Sequence, residues 1–232
     1  MKVFVTGGSG YIGRPTITAL RRRGHDVTAL VRGDHAAEVV AGLGATPVTG
    51  TLRDLEVLAT AAAHADGAIH LAVERGPQAA EIDAGASGAV QDGLGAGPYV
   101  HTGGVWVYGN TNGLVGEDAP QSPPSVVAWR SDNEKRVLSR AASGGRPVAG
   151  SVYAGVASAD FTAAQIAEAV SRAAGCAGRV ESVTVRQARE EMGPIADAFA
   201  LDQQVSSARA REELGWDPPN RDVLGEIAES AT

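Results

Sequence analysis

A single cysteine, Cys176, among 232 residues leaves no partner for an internal disulfide and no thiolate set for a metal site. Lysine is nearly as scarce. Of the twenty Lys and Arg, only Lys2 and Lys135 are lysines, so few residues are available for chemistry that needs an ammonium group. A cationic excess is missing too: those twenty cations face 27 Asp plus Glu, giving a net charge of −7 and a pI near 5.2. A sequence-independent grip on nucleic-acid backbones or anionic lipid needs the opposite sign. No apolar run reaches the ~18 residues of a membrane span, and Met1-Lys-Val-Phe-Val5 runs straight into glycines instead of a signal-peptide core. No His or carboxylate group stands at metal-ligand spacing. These absences point to a cytoplasmic protein with no metal, no nucleic-acid partner and no membrane partner.

What is present is a folded composition, 44% hydrophobic and 20% charged, arranged in an alternating pattern. Apolar strand-like runs at 2–6, 27–31, 46–49, 68–73 and 99–101 are separated by helical segments ending at Gly24 and covering 35–43, 52–65 and 77–96. Alternation of this kind predicts a parallel sheet with helices on both faces, a doubly wound α/β fold. The segment 77–96 carries Gly85, Gly88, Gly93 and Gly95, each costing up to about 1 kcal/mol relative to Ala in a helix interior, so this helix must lean on packing. After a loop at 109–124 come a helix at 126–142, a strand at 151–156 and a helix opened by the capping box Thr162-Ala-Ala-Gln165. The tail reads as a strand at 179–185, a short helix at 186–191 and a helical segment within 203–214.

Gly7, Gly10 and Gly13 recur at three-residue spacing at the first strand-to-helix junction. The first glycine permits the turn, the second lets backbone approach a pyrophosphate, and the third allows tight helix–strand packing. Backbone amides and the helix N-terminus then face the phosphates. Directly after the second strand, where an NAD-binding unit carries a carboxylate for the ribose 2′-hydroxyl, this chain has Arg32. A cation there suits the 2′-phosphate of NADP, with NAD as the alternative.

Several motifs together narrow the reading. Thr6-Gly-Gly-Ser-Gly-Tyr-Ile-Gly13, Ala68-Ile-His-Leu-Ala72, Tyr99-Val-His-Thr-Gly-Gly-Val-Trp-Val-Tyr-Gly109, Glu117-Asp-Ala-Pro120 and Glu213-Leu-Gly-Trp-Asp-Pro218 stand in this order. The chain resembles the extended short-chain dehydrogenases/reductases, specifically the NAD-dependent epimerase/dehydratase family. The resemblance implies a Rossmann domain over 1–157 and a small C-terminal substrate lobe over 158–232. It further implies that the loop Gly7, Ser9, Gly10, Tyr11 and Ile12 holds the pyrophosphate, Arg32 the adenosine phosphate and Leu52 the adenine. Leu71, Ala72 and Thr102 would flank the nicotinamide half. Dimers of the family form through helices that correspond to 77–96 and 126–142, so a homodimer is expected.

The family's catalytic pattern breaks in this chain. Its members use a tyrosine as acid/base with a lysine four residues later, and no Tyr-x-x-x-Lys occurs here. Aligning on Glu134-Lys-Arg-Val-Leu138 puts Val126 at the tyrosine position, Arg130 at the lysine position and Gly104 at the usual Ser/Thr. Thr51 replaces the aspartate that would sit beside the adenine. A guanidinium can bind the nicotinamide ribose but has too high a pKa to relay a proton. The remaining candidate catalytic residues are Tyr108 as phenolic donor, Arg130 and Thr102. Several dozen residues of the family's substrate region have no counterpart between Val148 and Ser151, through a shortened natural protein or through segments left out of this chain. The expected function is an NADP(H)-dependent oxidoreductase or epimerase-like enzyme acting on a small polar carbonyl or carbinol substrate, nucleotide sugars included. The alternative is a nucleotide-binding sensor that has lost turnover.

Overall fold

The computed structural model describes residues 1–143, 150–158, 160–219 and 222–229; the Arg146-Pro147 element and residues 148 and 149 of the 148–151 junction lie outside them. The chain divides into two compact units, Met1–Gly104 with Trp129–Ser151, and Val105–Ala128 with Val152–Thr232.

The first unit is built on five parallel strands: β1 (Lys2–Thr6), β2 (Asp26–Val31), β3 (Thr46–Thr49), β4 (Gly67–His70) and β5 (Tyr99–His101). Their order is β3-β2-β1-β4-β5. The helices α1 (Gly13–Arg22), α2 (Asp34–Gly42), α3 (Leu55–Ala63) and α4 (Ala79–Leu94) connect them, and α5 (Ala128–Ser143) follows. This is the doubly wound sheet expected from the alternating pattern. Side chains of a strand point alternately to opposite faces, and β1 shows the result. Val3 and Val5 join Val27, Ala29 and Val31 against Ile17 of α1 and Val40 of α2. Phe4 joins Leu30 and Ala68 on the other face, against Leu58 of α3 and Ile82, Ala86 and Val90 of α4.

α1 ends on Arg21 and Arg22 with Gly24 at φ +77°, the cationic last turn and left-handed stop read from the sequence. One glycine of α4 has a packing reason. A β-carbon on Gly93 would stand 2.8 Å from the backbone carbon of Ala59, so its absence lets α3 and α4 touch backbone to backbone.

The second unit contains a parallel pair, β6 (Leu114–Val115) with β7 (Gln204–Val205), and the helices α6 (Ala163–Ala173), α7 (Val185–Met192), α8 (Ala196–Phe199), α9 (Ala208–Leu214) and α10 (Val223–Glu229). The capping box at Thr162 opens α6 as expected. Two tail strands do not form. At 151–156 a side chain supplies a backbone partner, the Glu117 carboxylate accepting from the Ala154 amide at 2.8 Å. The strand expected at 179–185 is absent, and Val180, Val183 and Val185 are exposed. The short helix expected over 186–191 forms as α7, opened by a second capping box, Thr184 with Gln187. A lone alternating run has no partner to satisfy its backbone, whereas a capped helix satisfies its own.

Candidate nucleotide site

The first unit brings the sequence-derived loop residues together at the C-terminal ends of its strands. Gly7 follows β1 with φ +73°, a left-handed conformation that favours glycine. A β-carbon there would lie 2.8 Å from the Ala72 amide nitrogen and 3.0 Å from the Leu71 carbonyl carbon. Gly10 donates to the Gly7 carbonyl at 3.0 Å. At Gly13 a β-carbon would come within 2.6 Å of Gly8 Cα, and at Gly8 within 2.8 Å of Ile17 Cδ1, so the loop folds down onto α1 only because these positions are bare. Among the described residues no backbone bond uses the amides of Tyr11, Ile12 and Gly13. The first amides of a helix lack intrahelical partners and form an anion cradle. Tyr11 and Ile12 are exposed beside it, and Arg14 closes the loop by donating to the Ser9 carbonyl at 2.9 Å. The cradle that three missing β-carbons create fits a pyrophosphate.

In the order β3-β2-β1-β4-β5, connections run opposite ways from β1 and β4, and ligands of open α/β sheets bind at such a switch point. Register puts Thr6 beside His70 and His70 beside His101, so Gly7, Leu71 and Thr102 each stand one residue beyond the sheet. The Thr102 amide donates to the His70 carbonyl at 3.0 Å. Arg32 lies just past β2 and is exposed. Leu52 is 7% exposed within the apolar cluster under α3 and α4. Beside it the Asp54 carboxylate accepts from the Thr51 amide at 2.7 Å and the Thr51 hydroxyl at 2.8 Å. Those bonds hold the Asp54 carboxyl below its ordinary pKa.

The loop after β5 meets α5. Arg130 lies near Gly104, a β-carbon on which would stand 3.9 Å from Arg130 Cδ, and its guanidinium covers the Trp129 ring at 4.6 Å. A β-carbon on Gly103 would collide with the Glu134 carboxylate. Tyr108 belongs to the second unit, in a 3-10 turn over Val105–Tyr108; it is buried and donates its phenol to the Glu117 carbonyl at 3.2 Å. In that unit a cleft of about 490 Å³ is lined by Val115, Glu117, Asp118, Arg209, Glu212 and Glu213. Arg209 pairs there with Asp118, and Arg211 with Asp217 at 3.3 Å. Among the described residues no cluster of His, Cys, Asp and Glu has metal-binding geometry, and no helix is long and apolar enough to cross a membrane.

The sequence assigns no role to His70 and His101, and the structure shows what they face. Asp83, Ser87 and Gln91, spaced four apart on α4, are all buried, a polar stripe on a helix face otherwise marked by Ile82, Ala86 and Val90. That spacing was the available signal. Asp83 accepts from the Asn133 amide at 3.0 Å and faces His70 Nε2 at 3.5 Å and His101 Nε2 at 3.7 Å. Desolvation works against the Asp83 charge, yet the His70 contact, the His101 charge and the Asn133 amide together hold its pKa below the ordinary carboxylate value. Desolvation pushes His101 down to about 4 against the pull of Asp83.

Comparison with solved structures finds the same fold in other proteins. UDP-glucose-4-epimerase from Stenotrophomonas maltophila, solved with bound NAD and formylated UDP-arabinopyranose, superposes with a TM-score of 0.67 at 16% identity, covering 100% of this chain and 98% of that one. The two chains share a Rossmann-type α/β fold. Residues 1–89 match the NmrA-like family. Over 83 residues the chain is 45% identical to 4-hydroxy-2-methyl-3-oxo-4-farnesyl-3,4-dihydroquinoline-1-oxide ketoreductase of Stigmatella aurantiaca, covering 36% of this chain and 25% of that protein. An uncharacterized Schizosaccharomyces pombe protein is 25% identical over 295 aligned residues, spanning 100% of this chain and 99% of its own length. The motif-based resemblance to extended short-chain dehydrogenases/reductases is thereby borne out.

Proposed function

We propose that this chain is an NADP(H)-dependent oxidoreductase or epimerase-like enzyme acting on a small polar carbonyl or carbinol substrate. The observation that carries the reading is the bare glycine cradle at the start of α1, set against Leu71 and Ala72, with an exposed arginine past β2. The nicotinamide, when bound, supplies hydride chemistry. The amides of Tyr11, Ile12 and Gly13, together with Ser9 and Gly10 in the loop, cradle the pyrophosphate. Arg32 binds the 2′-phosphate, Leu52 borders the adenine, and Leu71, Ala72 and Thr102 flank the nicotinamide half. Arg130 holds the nicotinamide ribose, and Tyr108 is the phenolic group assigned to proton donation in place of the absent tyrosine–lysine pair. The nucleotide-bound solved neighbour and the ketoreductase relative support a turning-over enzyme above a silent sensor. The rest of the assignment is cytoplasmic and homodimeric, with the rim of α4 and α5 as the dimer face; a concentration-independent monomer mass in sedimentation would refute the dimer.

The deciding experiment is stopped-flow mixing of the protein with NADPH and a panel of ketones and nucleotide-sugar intermediates. Oxidation of NADPH above the buffer rate supports the enzyme reading. Tight NADPH binding with no oxidation across the panel would hand the case to the sensor.

A further inference from the structure

Beneath the glycine loop lies a polar cluster that no role above employs. Thr6 ends β1, His70 ends β4, His101 ends β5, Asp83 is on α4 and Asn133 on α5; Asp83 and His70 are 3% and 1% exposed. The contacts run in series. Asp83 Oδ1 faces His70 Nε2 at 3.5 Å, His70 Nδ1 meets the Thr6 hydroxyl at 3.0 Å, and that hydroxyl accepts from the Ala72 amide at 3.3 Å. On its other oxygen Asp83 accepts from Asn133 at 3.0 Å and faces His101 Nε2 at 3.7 Å, while Tyr99 meets His101 Nδ1 at 3.1 Å. The two imidazoles stack at 5.2 Å.

Chemistry gives this series a direction. An ionised carboxylate only accepts, so the 3.5 Å approach of Asp83 to His70 Nε2, an atom with no other partner, favours the tautomer with the proton on Nε2. Nδ1 is then an acceptor, which makes the Thr6 hydroxyl its donor and leaves the Thr6 oxygen lone pairs for the Ala72 amide. Ala72 is the residue against which Gly7 is packed. A buried carboxylate is costly unless its partners are ordered around it, and apolar residues would fill the same space at less cost.

We propose that Asp83 is a positioning residue of the nucleotide site: through His70 and Thr6 it fixes the Ala72 amide against Gly7, and so sets the floor under the nicotinamide-side half of the dinucleotide. The inference rests on the dinucleotide reading of the loop given above. It predicts that Asp83 governs one half of the ligand and not the other.

The test uses the full chain and the variant Asp83→Asn. With Asn133 still donating to one oxygen, the new amide presents N–H to His70, which demands the opposite tautomer and reverses the series. Nitrogen-detected NMR of the histidine rings should report the His70 proton on Nε2 in the parent and on Nδ1 in the variant, with a shifted Ala72 amide resonance. Titration calorimetry should show NADPH affinity falling about five- to tenfold, as for the loss of one ordered hydrogen bond, while 2′,5′-ADP binds within twofold of the parent. Thr6→Val, which deletes only the hydroxyl, should repeat the selective NADPH loss and decides the matter if Asp83→Asn does not fold. Unchanged His70 and Ala72 resonances, or equal weakening of both ligands, would overturn the inference while leaving the dinucleotide reading intact. A parent that binds neither ligand would overturn that reading, and the role of Asp83 with it.

Discussion

A β-carbon on Gly7 would stand 2.8 Å from the backbone nitrogen of Ala72, which locks the end of β1 to the segment leaving β4. Gly7→Ala must therefore move backbone as well as adopt a left-handed φ of +73°, a conformation that costs a residue with a side chain about 1–2 kcal/mol before any displacement. The expected result in urea unfolding is a loss of at least about 1–2 kcal/mol together with loss of nucleotide binding. Gly42→Ala is the control: nothing lies within 4 Å of its β-carbon position at the end of α2, and it should be neutral or stabilising by up to about 1 kcal/mol.

Acid should weaken this fold earlier than its carboxylates alone would dictate. His101 ionises near pH 6.5 when unfolded and near 4 when folded, so between those values the unfolded chain binds the extra proton. Stability then rises with pH through the window and is lost as pH falls from about 6.5 to 4. The full effect is on the order of 3 kcal/mol from a shift of this size. Asp83, held below its ordinary pKa, continues the loss below about 3.8 in the same direction. Melting temperature followed from pH 8 to 4 should bend downward near 6.5, and His101→Phe should straighten that limb. A flat profile over that range would refute the buried neutral state of His101.

NADPH should raise the melting temperature more than NADH at equal concentration, because Arg32 past β2 offers a cation to the 2′-phosphate. Saturating to a hundred times Kd stabilises by about 2.7 kcal/mol. Arg32→Asp should reverse the order of the two nucleotides, and equal shifts in the parent protein would sink the assignment of Arg32.

Turnover should be slow beside relatives that retain a tyrosine–lysine pair, by the 10²–10⁴-fold, or about 2.7–5.5 kcal/mol of barrier, that acid–base assistance typically provides. Tyr108→Phe separates two outcomes. Abolished turnover with unchanged NADPH affinity makes Tyr108 the proton donor. Unchanged turnover removes it from that role and leaves it a structural one that includes the hydroxyl's bond to the Glu117 carbonyl. Val126→Tyr combined with Arg130→Lys, placing the absent pair in the turn before α5 and in its first residues, should raise NADPH consumption.

The sheet was legible in the sequence because its information is local. The strands of the first unit are short runs separated by helical segments, α1 stops on Arg21, Arg22 and Gly24, and the Gly7–Gly10–Gly13 spacing states its own geometry. Thr162 with Gln165 announced α6 for the same reason. Thr184 with Gln187 carries an equal signal for α7, the helix expected over 186–191, and sets its start at Val185. Tertiary structure alone decided the rest. Leu114–Val115 and Gln204–Val205 are too short for any periodicity, and they pair only because distant segments meet. Gly93 is a poor helix residue until α3 lies against it. Asp83, His70, His101 and Asn133 are scattered across four elements, and the energy of burying a carboxylate among them exists only after folding has removed the water. Local pattern determined where the cradle sits; the long-range burial of one charge decided what holds its floor in place.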